Sequence, residues 1–159
     1  MTPVLMILLL TFSADIPLRA KHSEGFRISV VRQQKFRNKG HHPEINRRVI
    51  FRLCNKSGSP VIVYGTRDEK SLDPSGYLIE FDPKTRKWLY PTGSTTDPGF
   101  DSLPTFDKDK RDLGAGRCLE FFSEISEFQV GLHFKRSLYI SVKDGDPPQE
   151  IRSPEFVLK

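Results

Sequence analysis

Several residue groups in the chain have types and spacings that chemistry could use. His41, His42 and Glu44 offer two or three donors of the kind that hold zinc. Neighbouring side chains on an extended chain point apart, however, and no second cluster completes a tetrahedral set, so a solvated loop is the reading. Asp107, Asp109 and Asp112 repeat carboxylates at calcium-loop spacing, but Lys108, Lys110 and Arg111 neutralise them and no glycine marks the sharp turn. Neither a metal nor a cofactor is expected. Ser57-Gly58-Ser59 lacks the strand, elbow and helix of a serine hydrolase, and His133 stands alone between Leu132 and Phe134. Glu80, Asp82, Glu120 and Glu124 could supply the carboxylate pair of a glycosidase, yet their spacing is equally that of the outward face of two strands. No catalytic residue is assigned, and the expectation is a noncatalytic protein.

Binding chemistry has better candidates. Tyr77, Trp88 and Tyr90 belong to one hairpin, and pairing about the turn 83–86 brings Trp88 near Phe81 or Glu80. Flat aromatic surface beside polar groups suits sugar stacking or a protein partner. The competing role is packing into the core, where large aromatics are normally found. The net charge is +5, but residues 19–52 alone carry ten Lys/Arg against Glu24 and Glu44, a local balance of +8. Arg37, Lys39, Arg47 and Arg48 are the candidate strip for an acidic or glycan surface or another protein. The competing role is the solvated face of two strands. The chain has no ribonucleoprotein motif, zinc-finger spacing or long basic helix, so nucleic acid is not an expected partner.

The elements that must position these residues are strands. The chain has 159 residues, 36% hydrophobic and 28% charged, enough for one ordinary core. The only alanines are Ala14, Ala20 and Ala115, while strand formers are plentiful. Residues 26–30 alternate, and the doubled Val30-Val31 then shifts parity as a bulge would. Val49, Phe51 and Leu53 share one face with Arg52 opposite, and Leu119 and Phe121 repeat the pattern with Glu120 opposite. These five predict the core between two sheets. Turn residues 55–60 precede the apolar run 61–64, and residues 76–82 and 87–90 flank a Pro-started turn. Residues 91–116 form a 26-residue connection with few strand signals, of the length that is functional, disordered or wrapped over a sheet. Strand patterns resume over 117–122 and 132–142 and end at 156–158, with a short helical turn as an alternative over 123–129.

The first residues speak to address. Residues 4–12 read VLMILLLTF, the length of a signal-peptide core and far short of the roughly 20 residues of a membrane-spanning helix. No Lys or Arg precedes the run and the small-x-small site at residues 11–13 is poor, so a first strand of the domain is the competing role. The division is residues 1–20 as signal peptide or apolar segment, and residues 21–159 as a single β-sandwich domain. Export is expected, to the periplasm, cell surface or medium, with no stable transmembrane span.

Leu53-Cys54-Asn55-Lys56-Ser57 running into Pro60-Val61-Ile62-Val63-Tyr64, with Leu113-Gly114-Ala115-Gly116-Arg117-Cys118-Leu119 opening a strand, resembles the layout of immunoglobulin-like accessory domains of exported proteins. The Asn-x-Ser turn ahead of a Trp-bearing hairpin also resembles small sandwich proteinase inhibitors. The fold this implies is all-β, an antiparallel immunoglobulin-like β-sandwich of seven or eight strands with one long loop. Cys54 shares parity with Arg52, and Cys118 with Glu120, so neither thiol sits where a core bridge would, and pairing stays open. The expected function is a binding or protein-interaction module. A loop-mediated peptidase inhibitor is the first alternative and a small hydrolase the second. Inhibition by loop tips requires the turns 55–60 and 91–100 to meet at one end of the sandwich.

Overall fold

The computed structural model describes residues 25–37, 45–67, 72–104 and 108–159. The apolar run 4–12, Lys39, His41, His42, Glu44 and Asp107 lie outside the described residues. The strands are β1 (Phe26–Arg37), β2 (Ile45–Asn55), β3 (Val61–Arg67), β4 (Leu72–Pro74), β5 (Leu78–Asp82), β6 (Lys87–Leu89), β7 (Asp109–Leu113), β8 (Cys118–Ser126), β9 (His133–Ser141), β10 (Gln149–Arg152) and β11 (Phe156–Val157). The protein is all-β, and each of these pairings is antiparallel. The count exceeds the expected seven or eight because several strands are only two to four residues long. Pro154, which cannot donate to a ladder, stands between β10 and β11.

Strands β1, β2 and β8 form a three-stranded sheet with β2 in the middle. The other eight strands assemble around β9. Ile140 of β9 partners Gln149 on one side and Val63 on the other, while Phe134 partners Phe156 and Glu80. Strands β10 and β11 therefore share one flank of β9, and β3 and β5 share the other. The chain passes so close at two points that only glycine fits. A Cβ on Gly65 would lie 2.2 Å from the Asp73 carbonyl oxygen, and one on Gly76 would lie 2.1 Å from that of Ser137.

The two sheets enclose the main core in a sandwich-like arrangement. Ile28, Val49, Phe51, Leu53, Phe121 and Ile125 of the small sheet meet Val63, Phe134, Leu138, Ile140 and Ile151 of the large one. Val49, Phe51, Leu53 and Phe121 are buried and Leu119 packs against them, as the alternation requires, with Arg52 and Glu120 exposed. The expected bulge is present, since the β1–β2 register shifts between Val30 and Arg32.

The 91–116 connection is not without structure. It carries a 3-10 turn at Phe100–Ser102 and all of β7, which pairs along β3. The β7 sequence DKRDL is exposed except at Leu113, so backbone pairing makes it a strand while its side chains read as loop. Residues 97–103 lie across the outer face of the large sheet, where Leu103 and Phe100 pack on Ile62, Tyr64, Tyr77 and Tyr139. The helical alternative over 123–129 shrinks to a 3-10 turn at Glu127–Gln129, whose Phe128 N–H is accepted by the Ser126 hydroxyl at 3.4 Å.

Candidate functional site

The basic strip is built from β1 and β2, but β8 lies beside it carrying carboxylates in matching register. Arg52 faces Glu120 and Arg48 faces Glu124, and their guanidinium groups lie 2.5 and 2.6 Å from those carboxylates. Arg47 reaches Glu127 at 3.4 Å, and Lys35 reaches the same carboxylate at 3.5 Å. Arg48 is further held between two rings, 4.2 Å from the centre of Phe36 and 4.3 Å from that of Phe122. Among the described residues four cations of this region are thus paired with three carboxylates, while Arg37 is exposed at the end of β1.

The carboxylates considered for glycosidase chemistry each have a partner. Glu120 and Glu124 take the two arginines, Glu80 accepts from the Gln129 amide at 3.0 Å, and Asp82 closes the hairpin turn. The Thr85 hydroxyl and the Lys84 backbone N–H hold Asp82 below its ordinary range. Glu80 and Glu124 also line a cleft of about 440 Å³ at the open flank between β8 and the β5–β6 hairpin, with Leu89, Ile125 and Phe134 on its walls. Among the described residues no cluster of His, Cys, Asp or Glu could hold a metal ion.

The aromatics divide into two groups. Tyr90 is buried, donates its hydroxyl to Glu150 at 2.8 Å and accepts from Arg152. Tyr77 is edge-on to both Tyr90 and Tyr139 and shares a hydrogen bond with Ser102. Tyr139 donates to Asp97 at 2.6 Å. Tyr77 and Tyr139 anchor the 91–104 segment to the sheet, while Tyr90 ties the chain just before it to β10. Burial, reinforced by the carboxylate each one faces, pushes the Tyr139 and Tyr90 hydroxyls well above their ordinary range.

Trp88 belongs to the other group. The hairpin register sets Phe81 opposite Trp88, with ring centres 5.2 Å apart. The β5–β9 register, carried one residue on, sets Phe81 opposite His133, ring centres 6.3 Å apart, and His133 in turn partners Val157. Directly opposed residues share a face, so Trp88, Phe81, His133 and Val157 form one rung across β6, β5, β9 and β11 on the outer face of the large sheet. The Lys135 ammonium lies 4.0 Å from the centre of the Trp88 ring, and Glu155 pairs with the His133 imidazole. The His133 side chain is 45% exposed and Val157 36%. This rung is a partly exposed strip of rings tilted against one another, flanked by one cation and one carboxylate. Trp88 is the residue of the rung that the sequence alone singles out. Phe81, His133, Lys135 and Val157 were not assigned, and the odd-numbered parity of β9 was the signal that could have placed two of them.

Cys54 and Cys118 form a disulfide, and they do so between adjacent strands of the small sheet rather than between sheets. Asn55, fully buried, ties the neighbouring turns together. Its side-chain amide donates to Ser59, Leu113 and Gly114 carbonyls, and its oxygen accepts from Ser57. Turn 55–60 thus sits beside 114–117, whereas residues 97–103 lie over the sheet face. The two loops required for tip-borne inhibition do not meet at one end.

No protein-family model matches the chain, and no curated protein matches it. The solved structure described as "X-ray structure of Northeast Structural Genomics Consortium target SoR45" is similar, with a TM-score of 0.50 at 8% identity over 85% of this chain and 86% of that one. At that identity the likeness is one of fold.

Proposed function

We propose that the chain is a noncatalytic binding module of an exported protein, framed as an immunoglobulin-like sandwich, whose ligand lies across the Trp88 rung. The observation that carries this reading is the in-register row Trp88, Phe81, His133 and Val157 on the part of the outer face that the 91–104 segment leaves open. Aromatic surface with polar groups at its margin suits a protein or glycan partner. Export is supported by the apolar run 4–12 together with the Cys54–Cys118 bond, since disulfides persist in oxidising compartments. The inhibitor alternative loses support because its loops are apart, and the hydrolase alternative because each candidate carboxylate is already paired.

Trp88 is the chain's single tryptophan, so its emission reports directly on the rung. A partner captured from the exported fraction should shift that emission and should be lost by Trp88→Ala in a variant whose circular dichroism is unchanged. Capture of the same partner by wild type and Trp88→Ala alike would refute the rung as the binding surface.

A further inference from the structure

Phe128 is 99% exposed, at the apex of the 3-10 turn between β8 and β9, and Val130 beside it is 43% exposed. Nothing in the turn requires an aromatic there, since the Ser126 cap and the backbone bonds of the turn make its geometry. A large apolar side chain held fully in water by an ordered turn is the feature to explain.

Its surroundings carry more cations than carboxylates. Lys35 and Arg47 reach Glu127 at the base of the turn, and Arg37 is exposed at the end of β1. The adjoining hairpin, linked to the turn through Gln129 and Glu80, projects exposed Lys84 and Arg86. Against these cations and the exposed Lys87 stand Glu127, engaged by two of them, Glu155 beside His133, Glu80 beside Gln129 and Asp82 in the hairpin turn, so the cations are in excess by six to four.

We propose that this end of the sandwich docks on an anionic bilayer surface, with Phe128 and Val130 entering the headgroup boundary and Arg37, Lys84 and Arg86 facing the lipid charge. An apolar tip beside a surface of net positive charge is complementary to that one surface on both counts, because apolar burial and attraction to anionic headgroups add. This surface is distinct from the Trp88 rung and does not rest on the reading given above.

The probe is vesicles of phosphatidylglycerol and phosphatidylcholine in equal parts, against phosphatidylcholine alone, with the full chain. Wild type is expected to sediment with the anionic vesicles and not with the neutral ones. Phe128→Ala should weaken that partitioning at least about tenfold, the scale of losing one buried aromatic side chain. Because Phe128 packs on nothing, the variant keeps its thermal stability. Trp88→Ala should leave partitioning unchanged, which separates this proposal from the rung. The apolar run 4–12 could itself hold the chain to lipid, so insertion of the tip is read directly in a Trp88→Phe, Phe128→Trp chain, whose emission should shift to the blue with anionic vesicles. Absence of that shift, equal partitioning of Phe128→Ala, or binding of the tip to a protein with no vesicle partitioning would each overturn the proposal.

Discussion

Cys54 and Cys118 face each other across β2 and β8 and are joined by a disulfide on the outward face of one sheet. The next residues along, Leu53 and Leu119, point the other way into the core. The bond therefore closes a loop of 64 residues without taking part in core packing.

Its contribution follows from that closure. Restricting the unfolded chain over a loop of this length is worth about 4 kcal/mol. The Cys54→Ser, Cys118→Ser double variant should keep the strand spectrum of the wild type and unfold at lower urea by that margin. An unchanged urea midpoint would show that the unfolded chain gains no freedom from losing the bond.

Phe51 tests the core. It is completely buried, stacked on Phe121 with ring centres 5.4 Å apart and edge-on to Phe156 at 5.5 Å. Phe51→Ala should cost about 3–5 kcal/mol, since it removes the ring and leaves a cavity bounded by both sheets. Chemical denaturation reads the loss, and a cost under about 1 kcal/mol would contradict tight packing there.

The β2–β8 ladder should be unequal. Arg52 and Glu120 are each about half exposed, so Arg52→Ala should cost no more than about 1 kcal/mol. Arg48 pairs with Glu124 and also lies between the Phe36 and Phe122 rings, so Arg48→Ala should cost about 1–2 kcal/mol through lost packing as well as charge. Urea midpoints at low and high salt separate the two, with only the Arg52 effect disappearing at high salt.

Alkaline pH should weaken the attachment of the 91–104 segment at Tyr139 and the tie of Tyr90 to β10. Burial first, then the hydrogen bond to Asp97, raises the Tyr139 hydroxyl above the ordinary value of 10.0, and burial with Glu150 does the same for Tyr90. Both phenols stay protonated in the fold while their unfolded counterparts ionise. The stability they contribute is therefore full below pH 10 and falls as pH rises through the folded values. Phenolate absorbance should show these two tyrosines ionising only as circular dichroism reports unfolding, and Tyr139→Phe should flatten the decline. Ionisation of all four tyrosines with the fold intact would contradict the burial argument.

The sequence by itself determined the strand character and the inward set. Period-two alternation at Val49, Phe51, Leu53 and Phe121 permits only one buried face, and the doubled Val30-Val31 required the bulge seen between Val30 and Arg32. It also determined the β5–β6 hairpin through Pro83 and the short polar turn, while the choice of Phe81 over Glu80 as the partner of Trp88 came from the register seen in the structure. Tertiary structure decided the rest, since which strands neighbour one another is a long-range matter that local pattern does not encode. Only the placement of β8 beside β2 matched Arg48 and Arg52 with Glu124 and Glu120 and brought Cys54 to Cys118. Only pairing with β3 made β7 a strand, and only the folding of residues 97–103 onto the outer face buried Tyr64 and Tyr139 while leaving the Trp88 rung open. Phe128 shows the same limit from the other side: three residues after a core isoleucine it reads as an apolar helical face, but β8 runs on to Ser126 and the turn that follows carries the ring into water.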